Sequence, residues 1–95
     1  MPLYAVFSSL TDEGAKTLKE KPGRVKEVNE ELAKMGVKVL DQYAVLGDFD
    51  FLNIVEAPDT QTVAKAAVEL GSRGTLRTRT MPIIPLDEFL ETLGG

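Results

Sequence analysis

Two short stretches hold the side chains best suited to chemistry: Gly47-Asp48-Phe49-Asp50 and the run from Arg73 to Arg79. Asp48 and Asp50 flank a turn. Their carboxylates could receive an ammonium group of a ligand, or they could accept hydrogen bonds from nearby backbone N–H groups, the commoner use of aspartate in turns. Nothing near them in the chain would set one carboxyl apart from the other, so a paired acid and base is a weaker reading. Arg73, Arg77 and Arg79 form the one basic cluster. Arg77 and Arg79 alternate along an extended segment and so share a face. Guanidinium groups bind carboxylates bidentately, which makes the pair a candidate anion clamp. They could equally pair with acids such as Glu56, or guard a sheet edge against aggregation. Three arginines are too few for a nucleic-acid footprint.

Tyr4, Tyr43 and Asn53 are polar residues set within otherwise apolar runs. Buried polar groups need partners, so these three either line a cavity or satisfy one another in a core or interface. The chain has no histidine and no cysteine. Zinc and haem ligand sets of the usual kinds are therefore unavailable, as are serine–histidine and cysteine–histidine nucleophiles. Gly71-Ser72-Arg73-Gly74 leaves a helix and enters a strand, the wrong context for a phosphate loop. No loop is dense enough in carboxylates for calcium or magnesium. No cofactor and no metal are expected.

The chain has 95 residues with a formal net charge of −4. That is one domain, residues 1–95, with a thin core. Its acidity disfavours nucleic acid and anionic membranes as partners. The start, Met1-Pro2-Leu3-Tyr4, lacks the basic-then-apolar pattern of a secretory signal, and no apolar run nears the ~20 residues of a membrane helix. A cytoplasmic location is the expectation.

The elements that must position these residues follow from periodicity. Leu3 to Leu10 reads as a strand apolar on both faces. Thr11 caps a short helix with Asp12 and Glu13 in its first turn. Pro22 interrupts it and starts a second segment, in which Val25, Val28, Leu32 and Met35 make one stripe. Gly36 stops that segment. Val37 to Leu46 is a strand, Gly47-Asp48 a hairpin turn, and Phe49 to Ala57 the next strand. Asp59 caps a helix from Thr60 to Leu70, which Gly71 terminates. Thr75 to Met81 is a fourth strand. Residues 86–93 form a short final helix, and Gly94-Gly95 fray.

Strand, helix, strand, strand, helix, strand with right-handed crossovers is an α+β, ferredoxin-like βαββαβ fold. Its four-stranded antiparallel sheet has the order 4-1-3-2, with both helices on one face. Alternation gives Phe49, Phe51, Asn53 and Val55 to one face of the third strand, and Asp50, Leu52, Ile54 and Glu56 to the other. The first strand divides into Leu3, Ala5, Phe7 and Ser9 against Tyr4, Val6, Ser8 and Leu10. Both faces are largely apolar, yet the helices cover only one. Large side chains left in water would forfeit ~1.5–3 kcal/mol each. Either a second copy packs sheet to sheet, the leading expectation, or the C-terminal helix folds back over the open face. The hairpin register decides every facing assignment: a two-residue turn sets Gln42 opposite Asn53, and a three-residue turn sets Tyr43 there.

Leu46-Gly47-Asp48-Phe49-Asp50, Leu52 to Val55, Glu56-Ala57-Pro58-Asp59, Leu10-Thr11-Asp12-Glu13-Gly14 and Leu70-Gly71-Ser72-Arg73-Gly74 running into Arg77-Thr78-Arg79-Thr80 together resemble the GYD-domain family. The tyrosine of its Gly-Tyr-Asp signature corresponds to Phe49, so a phenol hydroxyl is lacking there. The resemblance implies a ferredoxin-like fold that pairs into a dimeric α/β barrel, and implies no reaction. A more distant resemblance is to the effector-binding domain of leucine-responsive regulators, where a small ligand binds near the corresponding turn.

The leading functional expectation is therefore a non-enzymatic homodimeric module for small-molecule binding or oligomerisation. It would hold a small polar or carboxylated metabolite near Gly47, Asp48, Phe49 and Asp50 or near Arg77 and Arg79. The alternative is a cofactor-free enzyme of the dimeric-barrel oxygenase type, with Tyr4, Tyr43 and Asn53 lining its cavity. That alternative needs a pocket of the order of 300 Å³ or more.

Overall fold

In the computed structural model, which describes residues 1–94, eight elements follow one another. They are β1 (Leu3–Leu10), α1 (Asp12–Glu20), α2 (Arg24–Lys34), β2 (Lys38–Ala44), β3 (Phe51–Glu56), α3 (Thr60–Ser72), β4 (Leu76–Ile83) and α4 (Leu86–Thr92). The sheet order is β2-β3-β1-β4 with every pair antiparallel, as the α+β ferredoxin-like reading requires. Gly95 lies outside the described residues, so the expected fraying there does too.

Local chemistry sets the helix ends. The Thr11 hydroxyl accepts the Gly14 N–H at 3.1 Å and starts α1. The Asp59 carboxylate accepts the Thr62 N–H at 2.8 Å and starts α3. Each satisfies one orphan donor of a first turn. Pro22 stands outside both helices, in the turn that separates α1 from α2, and Gly23 rather than Pro22 borders α2. Gly36 has φ +92° beyond the end of α2, the conformation glycine adopts without penalty. Gly71 does not stop α3. The helix runs on to Ser72, and Gly74, with φ +74°, makes the left-handed exit.

Gln42 stands opposite Asn53, the register of the two-residue turn. The hairpin tip is nonetheless wider than that turn. Strand pairing ends at Ala44 and Phe51, and Val45 N–H bonds to the Asp50 carbonyl at 2.8 Å around Leu46–Phe49. A register shift between Val39 and Asp41 puts one extra residue, Leu40, into β2.

Tyr4 and Val55 pair on the helix-covered side of the sheet and join Leu32, Val37, Ala57, Val63 and Ala66 in the core. The opposite face carries Leu3, Ala5 and Phe7 of β1, Leu52 and Ile54 of β3, and Tyr43, Met81 and Ile83 from the edge strands. Tyr43 and Met81 are 55% and 47% exposed there. The C-terminal helix does not cover this face: none of its described residues is buried, and Leu86, Phe89, Leu90 and Leu93 all stay exposed. The alternative in which α4 folds back over it is therefore not what the structure has, and among the described residues the apolar face stays open.

Candidate functional site

A cavity lies on the helix-covered side of the sheet. It measures about 360 Å³ and runs between β1, β3 and β4 below and α1, α2 and α3 above. Its walls are mostly aliphatic, with Val6 and Leu10 from the sheet, Val28 from α2 and Leu70 from α3. Small residues open it: Ala66 and Ala67 face the sheet where longer side chains would fill the gap.

A row of amides crosses the floor. Asn29 of α2 donates to the Gln42 side-chain oxygen at 2.9 Å, and Gln42 donates back to the Asn29 oxygen at 3.3 Å. Gln42 in turn is the cross-strand neighbour of Asn53. The Asn53 side-chain oxygen is buried and has no hydrogen-bond partner among the described residues. Leaving such a group unpaired costs about 1–3 kcal/mol.

At the helix side of the cavity sits a charged network. Arg73 donates to Glu31 at 2.7 Å and lies 3.3 Å from Glu69. Arg24 reaches the other Glu31 oxygen at 2.8 Å and Glu27 at 3.2 Å. Partial burial by itself would push the Glu31 carboxyl up, but hydrogen bonds from Arg24 and Arg73 outweigh it and hold Glu31 below the usual carboxylate range. The bonds to Glu31 and Glu27 raise Arg24 in return. The Arg73 Nη1 atom is buried without a partner among the described residues.

The residues singled out from the sequence are spread over the molecule. Asn53 lines the cavity. Tyr4 is 3% exposed in the core, its hydroxyl 3.1 Å from the Thr60 hydroxyl. Tyr43 is on the far face and belongs to no cavity with Asn53. Arg73 leaves the basic cluster for Glu31 and Glu69, while Arg77 and Arg79 stay exposed on the open face of β4. Neither can pair with Glu56: that residue stands opposite Leu3 and Lys38, while Arg77 and Arg79 lie opposite Ser9 and Phe7, further along β1.

The hairpin tip departs from strand alternation. Asp50 N–H bonds to the Ser8 carbonyl at 2.8 Å, and the Asp50 carboxylate accepts the Leu10 N–H at 2.7 Å. The tip is thus tied to β1, and Phe49 is not part of the strand. Its ring lies 4.9 Å from that of Phe7 on the open face, with the Arg79 guanidinium 5.9 Å from its centroid. Phe49 therefore stands on the opposite side from Phe51, against the expectation from alternation. Gly47 and Asp48 remain exposed at the tip. Among the described residues no group of three or more acids is placed to hold a metal ion. No described helix is long and apolar enough to cross a membrane.

Sequence reasoning missed Ser8, Asn29, Gln42 and Arg73 as cavity residues. The register offered one usable signal, since it sets Gln42 beside Asn53. The sequence profile of the GYD domain matches residues 4–93. The chain belongs to the GYD domain family. It is 51% identical over 94 residues to a Thermus thermophilus protein named glutamine synthetase and cystathionine beta-lyase binding protein, covering 98% of this chain and 99% of that one. Three solved structures share the fold. A structure of an FFRP protein has a TM-score of 0.58 at 22% identity, over 88% of this chain and 100% of that one. TTHA0845 from Thermus thermophilus has 0.56 at 21%, over 90% and 95%. MtbAldR has 0.67 at 19% over 88% of this chain, which spans only 52% of that longer one.

Proposed function

We propose that this GYD-domain protein is a non-enzymatic binding module: a sheet-to-sheet homodimer whose business is to dock onto other proteins. The observation that carries the reading is the apolar sheet face that the described helices, α4 among them, leave uncovered. Covering what stays exposed of Phe7, Leu52, Ile54 and Met81 contributes about 1 kcal/mol apiece, set against about 4–15 kcal/mol for lost freedom of motion. A few side chains therefore do not suffice, and the whole face must engage. The apolar side chains of α4 enlarge the surface available.

The relative's name supports the kind of partner. A protein half identical along its full length is named for binding glutamine synthetase and cystathionine beta-lyase, so enzymes of these two kinds are the proposed partners here. The distant likeness to leucine-responsive regulators rests on fold alone. The oxygenase alternative meets its volume requirement, but the cavity walls offer amides and hydroxyls rather than a group able to move protons at neutral pH.

Light scattering on the eluting protein tests the dimer and should give twice the chain mass of 10.4 kDa. Calorimetric titration with glutamine synthetase and cystathionine beta-lyase from the same organism tests the partners and should give saturable heats. A single-chain mass at micromolar concentration, or silence with both enzymes, overturns the corresponding half of the reading.

A further inference from the structure

We propose that the helix-side cavity is a binding site for an uncharged amphipathic small molecule: one ring or short chain carrying an amide or hydroxyl head. It lies on the opposite side of the sheet from the face assigned to self-association, so either assignment can fail without the other.

Three observations define the ligand. The volume of about 360 Å³ is at the small end of ligand pockets and suits a single ring with a short substituent. The walls are aliphatic, so most of the ligand is apolar. Two buried polar atoms in that lining lack partners among the described residues, the Asn53 side-chain oxygen and Arg73 Nη1. The first needs a donor and the second an acceptor. Amides and alcohols can donate to the first or accept from the second.

Charge separates this class from the carboxylated metabolite expected from the sequence. Asn29, Gln42, Asn53 and Ser8 are neutral. The two cationic residues of the lining, Arg73 and Arg24, share three acids, Glu31, Glu69 and Glu27, so no positive charge is left over although Arg73 Nη1 itself lacks an acceptor among the described residues. An incoming carboxylate would lose its water and meet Glu31 without a free cation to compensate it. A neutral head avoids that cost. The polar groups also explain why the space is not simply a packing defect: a dry apolar void would need no amide row along its floor.

Titrations of the isotopically labelled protein with benzamide, 2-phenylethanol and benzoate, followed by NMR of backbone and side-chain amides, test the proposal. Benzamide and 2-phenylethanol should perturb Val28, Ala66 and the Asn53 side-chain amide in the millimolar range, with benzoate binding more weakly. Asn53→Ala should weaken benzamide binding about three- to tenfold, the worth of one neutral hydrogen bond. Ala67→Leu should fill the space and lower the affinity further while the amide spectrum stays dispersed. If Ala67→Leu does not fold, Asn53→Ala alone decides. Perturbations centred on Phe7, Leu52 and Ile54, equal or tighter binding of benzoate, an unchanged affinity in Asn53→Ala, or no perturbation by either neutral probe would each overturn the proposal.

Discussion

Gly14 of α1 lies against the main chain of Thr75, so close that a β-carbon on it would sit 1.8 Å from the Thr75 carbonyl oxygen. The contact belongs to a small joint. Thr11 N–H donates to the same carbonyl at 3.0 Å, and the Thr11 hydroxyl donates to the Gly74 carbonyl at 2.8 Å while accepting the Gly14 N–H. The start of α1 is thus bolted to the turn between α3 and β4. Because the obstructing atom is backbone, no rotamer change relieves it. Gly14→Ala should lose about 3 kcal/mol or more in urea unfolding. A wild-type midpoint would show that the two segments can separate freely.

Tyr4 makes a comparable but weaker tie. Its ring fills the core between the sheet and α3, and its hydroxyl meets the Thr60 hydroxyl in the first turn of α3. Tyr4→Phe keeps the ring and removes the bond, so the expected loss is about 0.5–1.5 kcal/mol. Thr60→Val in the same background should add little, because the partner is already gone. Fully additive losses in a double-mutant cycle would contradict the pairing.

Acid should weaken the fold through two carboxylates. Hydrogen bonds from the Thr62 hydroxyl and N–H hold Asp59 below its ordinary value, and Arg24 and Arg73 do the same for Glu31 against the effect of burial. For both groups the unfolded chain takes up its proton at the higher pH. Their stabilisation is therefore complete above the ordinary carboxylate pKa of about 4 and is lost as pH falls through the lower folded values. Unfolding midpoints should drop on that acid limb, and Asp59→Asn should flatten the drop. An acid limb identical in Asp59→Asn and the parent protein would remove Asp59 from the account.

The open face permits a direct contrast. Leu52 stands between Phe7 and Tyr43 on that face, whereas Val68, 72% exposed on α3, lies on the helix layer. In the proposed sheet-to-sheet dimer, Leu52→Asp should leave a folded monomer, seen by light scattering with circular dichroism unchanged, because a buried unpaired carboxylate opposes association. Val68→Asp should leave the mass untouched. The opposite pattern would move the interface to the helices.

Much of the fold is legible because alternation and capping are local. Thr11, Asp59 and Gly36 announce helix ends by their own chemistry, and the two-faced apolar pattern of β1 and β3 announces an uncovered sheet side. The candidate site is less legible for a physical reason. Asn53 stands out in its strand, but the cavity lies where side chains as short as Ala66 and Ala67 line the space between helices and sheet, and no local pattern reports a gap. Arg73 is misplaced for a similar reason: its neighbours in sequence are arginines, while its partners in space, Glu31 and Glu69, come from two helices. Leu40 in the bulge and Phe49 on the unexpected face both mark places where pairing is interrupted, and there the period of two no longer applies.

Asp50 tests whether the hairpin tip is a ligand site or a structural clasp. Its carboxylate is engaged with the Leu10 N–H at 2.7 Å and its own N–H with the Ser8 carbonyl, so the side chain serves β1 before it serves any ligand. Asp50→Ala should cost about 1 kcal/mol, while Asp50→Asn, which keeps an acceptor oxygen in place, should cost less. Neither change should alter benzamide binding in the helix-side cavity, since the tip does not line it. If Asp50→Ala left stability unchanged but abolished stabilisation by free amino acids in a thermal-shift screen, the clasp would give way to the ammonium-binding role, and Gly47, Asp48 and Phe49 would return as its neighbours.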